Sequence, residues 1–190
     1  FQEVYLGQEL FEATYGHTPK FCIDEGLIHS EKMLIDKRLL DELAAKHVLA
    51  IATGRPRAEA DYPLGHFGIK QYFTSVMALE DCLEEEARIL KTEAKKVSLS
   101  KPHPFMLDAI AANISNPVAE YVYIGDMPDD MVAAKKSTHG YKAIGLIMSA
   151  PDKENLKETL KRAGADDIIE SGVSSGCANS GDAEIAQEDG

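Results

Sequence analysis

Short, uninterrupted apolar runs alternating with amphipathic stretches constrain the fold of this chain more than any other feature. Val48 to Ala52 reads VLAIA and stops abruptly at Thr53-Gly54-Arg55-Pro56. A run this short, bounded by turn residues, predicts a buried parallel strand that ends in a functional loop. Tyr72 to Leu79, Tyr121 to Ile124, Lys142 to Ile147 and Asp167 to Ile169 predict further strands. Helical spacing falls between them. Ser30 is expected to cap a helix running to about Lys46, with Ile35, Leu39, Leu40 and Leu43 on one face. The polar segment Glu80 to Ser100, with Glu84 and Arg88 at helical spacing, predicts a charged surface helix and loop. Pro104 opens a helix carrying Met106, Ile110 and Ile114, another begins near Asp129, and a third aligns Leu156, Leu160 and Ala163. Strand and helix alternation implies a parallel sheet with helices on both faces and right-handed crossovers, a three-layer α/β/α Rossmann-like fold.

With 190 residues and 44% apolar content, the chain can bury one sizeable core and has room for a small appendage. Thirty-two acidic against twenty basic side chains give a net charge of -12. That excess repels a nucleic-acid backbone and an anionic membrane surface, so neither is expected as a partner. Any phosphate-ester chemistry must then concentrate its cations, or a bound metal, at one spot. The three cysteines, Cys22, Cys82 and Cys177, form no CxxC pair, which suits a reducing, cytoplasmic setting and no zinc site. No apolar run approaches the roughly 20 residues that cross a bilayer.

The first residue is Phe1 rather than methionine, which leads to the expectation that the chain is the C-terminal part of a longer protein. Its opening stretch (Phe1, Val4, Tyr5, Leu10, Phe11, Tyr15) suits a short helix broken at Thr18-Pro19. After Glu170 the composition shifts to Ser, Gly, Ala and Asp, and residues 171–190 are expected to be a disordered tail.

Ligands of parallel sheets bind beyond the carboxyl ends of the strands, where three motifs carry chemistry. Thr53-Gly54 offers a hydroxyl and an unobstructed N–H to a phosphate oxygen, although taken alone it reads as a polar turn. Lys101, in Ser100-Lys101-Pro102-His103-Pro104, is a cation in a loop stiffened by proline; taken alone it reads as a surface lysine. At about 4 Å from a phosphate oxygen its charge is worth on the order of 4 kcal/mol at an effective dielectric near 20. Gly125-Asp126-Met127-Pro128-Asp129-Asp130 places carboxylates just past an apolar strand. Such hard oxygen ligands suit Mg2+, and an Asp-rich turn capping the next helix is the other reading, with capping a secondary role for Asp129 or Asp130.

In this order and on successive strand ends, the motifs resemble those of the haloacid-dehalogenase superfamily: an apolar strand ending in Thr or Ser, a lysine often followed by proline, and GDxxxD. The resemblance covers about residues 29 to 170. The phrases ATGRPRAEAD, SKPHPFML and YIGDMPDDMVAAKKS look most like its subfamily IA, phosphoglycolate-phosphatase-like branch, which inserts a helical cap after its first motif. Residues 1–28 would then be the end of that cap, 29–170 an incomplete hydrolase core. The resemblance implies that Thr53, Gly54 and Lys101 bind the transferring phosphoryl group. It further implies that Asp126 ligates Mg2+ and that Asp130 steadies Lys101 or the metal's waters. The implied activity is hydrolysis of a small phosphorylated metabolite through an aspartyl-phosphate.

The family's first motif, an apolar strand followed by DxDGT, has no match in the sequence. Phe21-Cys22-Ile23-Asp24-Glu25-Gly26-Leu27 is the nearest string, and Asp24 is read as linker because Gly26 stands where the second aspartate would be. The expectation is a core without its central strand and a chain without turnover of its own. A non-catalytic binding or regulatory domain is the competing reading; a phosphomutase or dehalogenase is a third. Arg55 and His103 flank the phosphate site and read as a solvated arginine and a turn histidine.

Overall fold

The computed structural model describes residues 1–115 and 118–170; the predicted tail lies outside them. Strands β1 (Leu49–Ala52), β2 (Phe73–Met77), β3 (Val122–Gly125), β4 (Lys142–Leu146) and β5 (Asp167–Ile169) alternate with helices α1 (Gln2–Tyr15), α2 (Lys37–Ala44), α3 (Arg57–His66), α4 (Leu79–Glu93), α5 (Phe105–Ala112), α6 (Pro128–Lys136) and α7 (Lys153–Arg162). Every strand pairing is parallel. The fold is the expected α/β architecture with Rossmann-like connections.

The strands form two sheets, β1-β2 and β3-β4-β5, and among the described residues β1 and β3 have no ladder between them. On one face of the larger sheet, Ala143 and Ile147 alternate with outward residues and join Leu107 and Ala111 of α5, Met131, Ala133 and Ala134 of α6 and Leu160 of α7. This is the main core. Across the opposite face, Ile124, Leu146 and Ile169 look over a cavity of about 830 Å³ toward Leu39 and Leu43 of α2. Ile124 remains 50% exposed, whereas Leu160 is fully buried.

Some boundaries differ from expectation. Ser30 closes a short 3-10 turn, its hydroxyl donating to Leu27 O, and Asp36 caps α2 instead, accepting from the Leu39 N–H at 2.7 Å. Ile35 therefore precedes the helix and lines the cavity. In α4, Arg88 pairs with Glu85 and not with Glu84. α1 is kinked at Gly7, whose φ of 74° is open to glycine. Gly26 crosses it so closely that a Cβ there would lie 2.2–2.3 Å from the backbone of Tyr5 to Gly7. The Gln8 N–H donates to Ile23 O across the same crossing. No described helix is long and apolar enough to cross a membrane.

The two faces of the larger sheet should respond differently to substitution. Leu160→Ala, deep in the packed face, is expected to cost about 2–5 kcal/mol. Ile124→Thr, on the half-covered face, should cost under about 1 kcal/mol. Denaturant midpoints of the two variants check this.

Candidate active site

The carboxyl ends of β1 and β3 and the loop before α5 bring Thr53, Lys101 and Asp130 together. β1 places Thr53 at its tip, with the Thr53 N–H donating to Met77 O of β2 at 2.9 Å and the Arg55 N–H donating to Thr53 Oγ1 at 3.2 Å. Arg57 braces this loop. Its N–H donates to Glu80 at 2.7 Å, and its guanidinium reaches Val76 O at 3.1 Å and pairs with Asp81. A Cβ at Gly54 would meet nothing within 4 Å, so the space in front of its backbone is open.

The lysine loop is pinned on both sides. Leu99 and Met106 are buried with Cys82 and packed against Ala52 and Met77. The Leu99 N–H donates to Glu86 of α4 at 2.7 Å, and the Phe105 N–H to His103 Nδ1 at 3.2 Å. His103 thus sits in the turn at the start of α5. The anchoring points the Lys101 ammonium at Asp130 Oδ1 (2.5 Å), the Tyr123 hydroxyl (3.1 Å) and Ala52 O (3.4 Å).

Asp130 is 4% exposed and Lys101 18%. The other Asp130 oxygen accepts from the Met127 N–H at 3.1 Å, while the Asp130 N–H donates to Met127 O, which closes the first turn of α6. Its carboxylate also packs on Gly125, where a Cβ would fall 2.4–2.6 Å from it. The glycine of the GD pair is therefore a steric requirement of the carboxylate five residues on. Asp126 and Asp129 are exposed at the same strand end. Among the described residues no group of three His, Cys, Asp or Glu side chains gathers to hold a metal ion. Asp126 offers the hard oxygen that Mg2+ prefers, but the donor set is incomplete within these residues.

Tyr123 joins the site although the sequence reading passed over it. Its hydroxyl lies 3.0 Å from Ala52 O and 3.1 Å from Asp130 Oδ1. Burial, then the charge and hydrogen bonding of Asp130, push its pKa well above the usual tyrosine range. A tyrosine two residues before the Gly-Asp pair on a parallel strand was the available signal. Arg55 is exposed, as expected, and its guanidinium is also bonded to Glu31 and Tyr5. Asp24 lies exposed on a bend outside any strand.

The sequence pattern of the haloacid dehalogenase-like hydrolases matches residues 35–146. The chain belongs to that family. Imidazoleglycerol-phosphate dehydratase of Phytophthora nicotianae is 26% identical over 158 aligned positions, an alignment that covers 78% of this chain and 31% of that protein. The crystal structure of a protein assigned as a beta-phosphoglucomutase from Thermotoga maritima superimposes with a TM-score of 0.53 at 21% identity, over 70% of this chain and 53% of the other. That of a hydrolase from Pseudomonas syringae gives 0.51 at 25% identity, over 72% of this chain and 52% of the other. The chain thus spans about a third of the dehydratase and about half of each solved structure.

Two outcomes follow from the buried ion pair and its tyrosine. Lys101→Met leaves Asp130 buried without its cation and should destabilise the fold by about 3–5 kcal/mol, read from chemical denaturation. Because the folded pKa of Tyr123 is raised, its contribution to stability is full below the unfolded value near 10 and is lost as pH rises beyond it. Tyr123→Phe should flatten this alkaline loss in unfolding curves measured against pH.

Proposed function

We propose that this chain carries the phosphate-handling part of a magnesium-dependent hydrolase of small phosphate monoesters, and that the attacking carboxylate comes from a strand inserted between β1 and β3. The carrying observation is the Lys101 ammonium held between Ala52 O, at the end of β1, and Asp130 Oδ1, beside the open Thr53-Gly54 turn. A hydroxyl, a free N–H and a cation fixed by burial make a cradle for a phosphoryl group. Family membership supports the hydrolase class. One relative is named for imidazoleglycerol phosphate, itself a phosphate monoester.

In this reading Thr53 Oγ1 and the Gly54 N–H take phosphoryl oxygens, and Lys101 neutralises charge that builds between nucleophile and phosphorus. Asp130 positions Lys101, and Tyr123 shields that pair from water. Asp126 would be one ligand of Mg2+, with further oxygens from the ester, from water and from the inserted strand. The metal would lower the repulsion between an anionic ester and an attacking carboxylate. A carboxylate oxygen would bond to phosphorus as the phosphorus–ester oxygen bond breaks, the departing oxygen taking its proton from a solvent water, and a second water would then hydrolyse the aspartyl-phosphate to free carboxylate and phosphate. The acidic surface and the free thiols Cys22 and Cys82 suit a small phosphorylated metabolite in a reducing cytoplasm.

A non-catalytic binding domain is the second reading, favoured by the incomplete metal donor set. Assay of the full-length gene product for magnesium-dependent phosphate release separates the two. Turnover is expected from it and not from the 190-residue chain, and Lys101→Arg in the full-length protein should lower kcat by about 10²-fold or more. Absence of turnover with every small ester tried, or a Lys101→Arg enzyme working at the parental rate, sinks the hydrolase reading.

A further inference from the structure

The phosphate loop leads into a second polar cluster that none of these roles uses. Arg55 donates its N–H to Thr53 Oγ1, while its guanidinium reaches the other way, to Glu31 Oε1 at 2.8 Å and the Tyr5 hydroxyl at 2.7 Å. The cluster is therefore one arginine side chain from Thr53. Glu59, in the first turn of α3, belongs to it. One turn on and on the same helix face, Tyr62 packs against Leu6, Phe11 and Ile28, which puts Glu59 in the seam between α3 and α1.

Glu59 is 3% exposed, and its Oε1 meets neither solvent nor a donor among the described residues. Burial raises its pKa, the Arg55 charge and the Gln2 side chain offset part of this, and Glu80 and Glu31 add to it. Buried polar atoms are nearly always paired in folded proteins, and the exceptions concentrate where a ligand or a reaction completes them. The local charge balance says which ligand. The charges of Glu31 and Glu80 both oppose ionisation of Glu59, and one guanidinium, Arg55, offsets them, since that of Arg57 is committed to Asp81 and Val76 O. What the seam lacks is a cationic donor.

The geometry points to Glu59, with Glu31 and Tyr5, as the subsite for the leaving group of the phosphate ester, selecting a leaving group that carries an ammonium and rejecting one that carries a carboxylate. This rests on the phosphate-ester reading above. Arg55 links the Thr53-Gly54 turn to Glu31 and Tyr5, so the group beyond a phosphoryl held at that turn would meet this cluster. An ammonium entering the seam would give Glu59 Oε1 its missing partner, and a charge-assisted bond there is stronger than a neutral one. A carboxylate would add a fourth negative charge.

The test ranks three esters on the full-length protein, by kcat/KM where hydrolysis is seen and by calorimetric affinity where it is not. Phosphoethanolamine is expected to exceed methyl phosphate by roughly 10-fold or more, with 2-phosphoglycolate below both. Glu59→Gln keeps the shape, removes the charge and should bring the phosphoethanolamine to methyl phosphate ratio toward one. Equal ranking of the three, or 2-phosphoglycolate first, overturns the subsite and leaves the phosphate site standing. No hydrolysis or binding of any ester, methyl phosphate included, overturns both. Should Glu59→Gln fail to fold, the ranking on the parental protein decides.

Discussion

A lysine ammonium ties the two sheets together where no ladder among the described residues does. Ala52 O, the last carbonyl of β1, lies within hydrogen-bond reach of both Lys101 Nζ and the Tyr123 hydroxyl, and the same two groups meet Asp130. Taking a carboxylate and an ammonium out of water costs several kcal/mol per ion, which only good geometry and further hydrogen bonds offset. Asp130 meets that condition with the Met127 N–H on its second oxygen. The β3–α6 turn and the lysine loop are therefore locked to one another, and movement of either would leave a buried charge uncompensated. In the proposed reading, the groups that would meet a phosphate are fixed before any ligand arrives, as electrostatic catalysis requires.

The elements were legible because their signals are local. VLAIA ending at Thr-Gly, the Pro104 start and the Gly-Asp turn after Ile124 each declare a boundary within a few residues, and the strands and helices formed close to where those signals put them. The helix before β1 was misread because Ser30 and Asp36 are equally good caps on local chemistry. The choice is made by distant contacts: Glu31 is drawn into bonds with Tyr5 and Arg55, in extended backbone, so the chain cannot begin a helix there. The same contacts explain Arg55, which has nothing local to pair with. Its partners lie 50 and 24 residues away in the chain. Thr53, Lys101 and Asp130 were readable as a set because the alternating fold delivers strand ends to one side. Tyr123 was hidden because a strand tyrosine shows its partners only after folding.

Fold and chemistry meet in the gap between β1 and β3. A parallel strand placed there would satisfy the two edges left unpaired among the described residues and pack beside Val122 and Ile124, which are about half exposed. Running parallel to its neighbours, it would end between Thr53 and Asp126, facing the lysine. A carboxylate just past its end would then stand where a phosphoryl group held by Thr53, Gly54 and Lys101 is open to attack from the sheet side. In this reading one segment completes both core and site. The apolar covering of the larger sheet and the capacity for turnover would then be gained or lost together, a coupling that a binding domain with the same fold would not need.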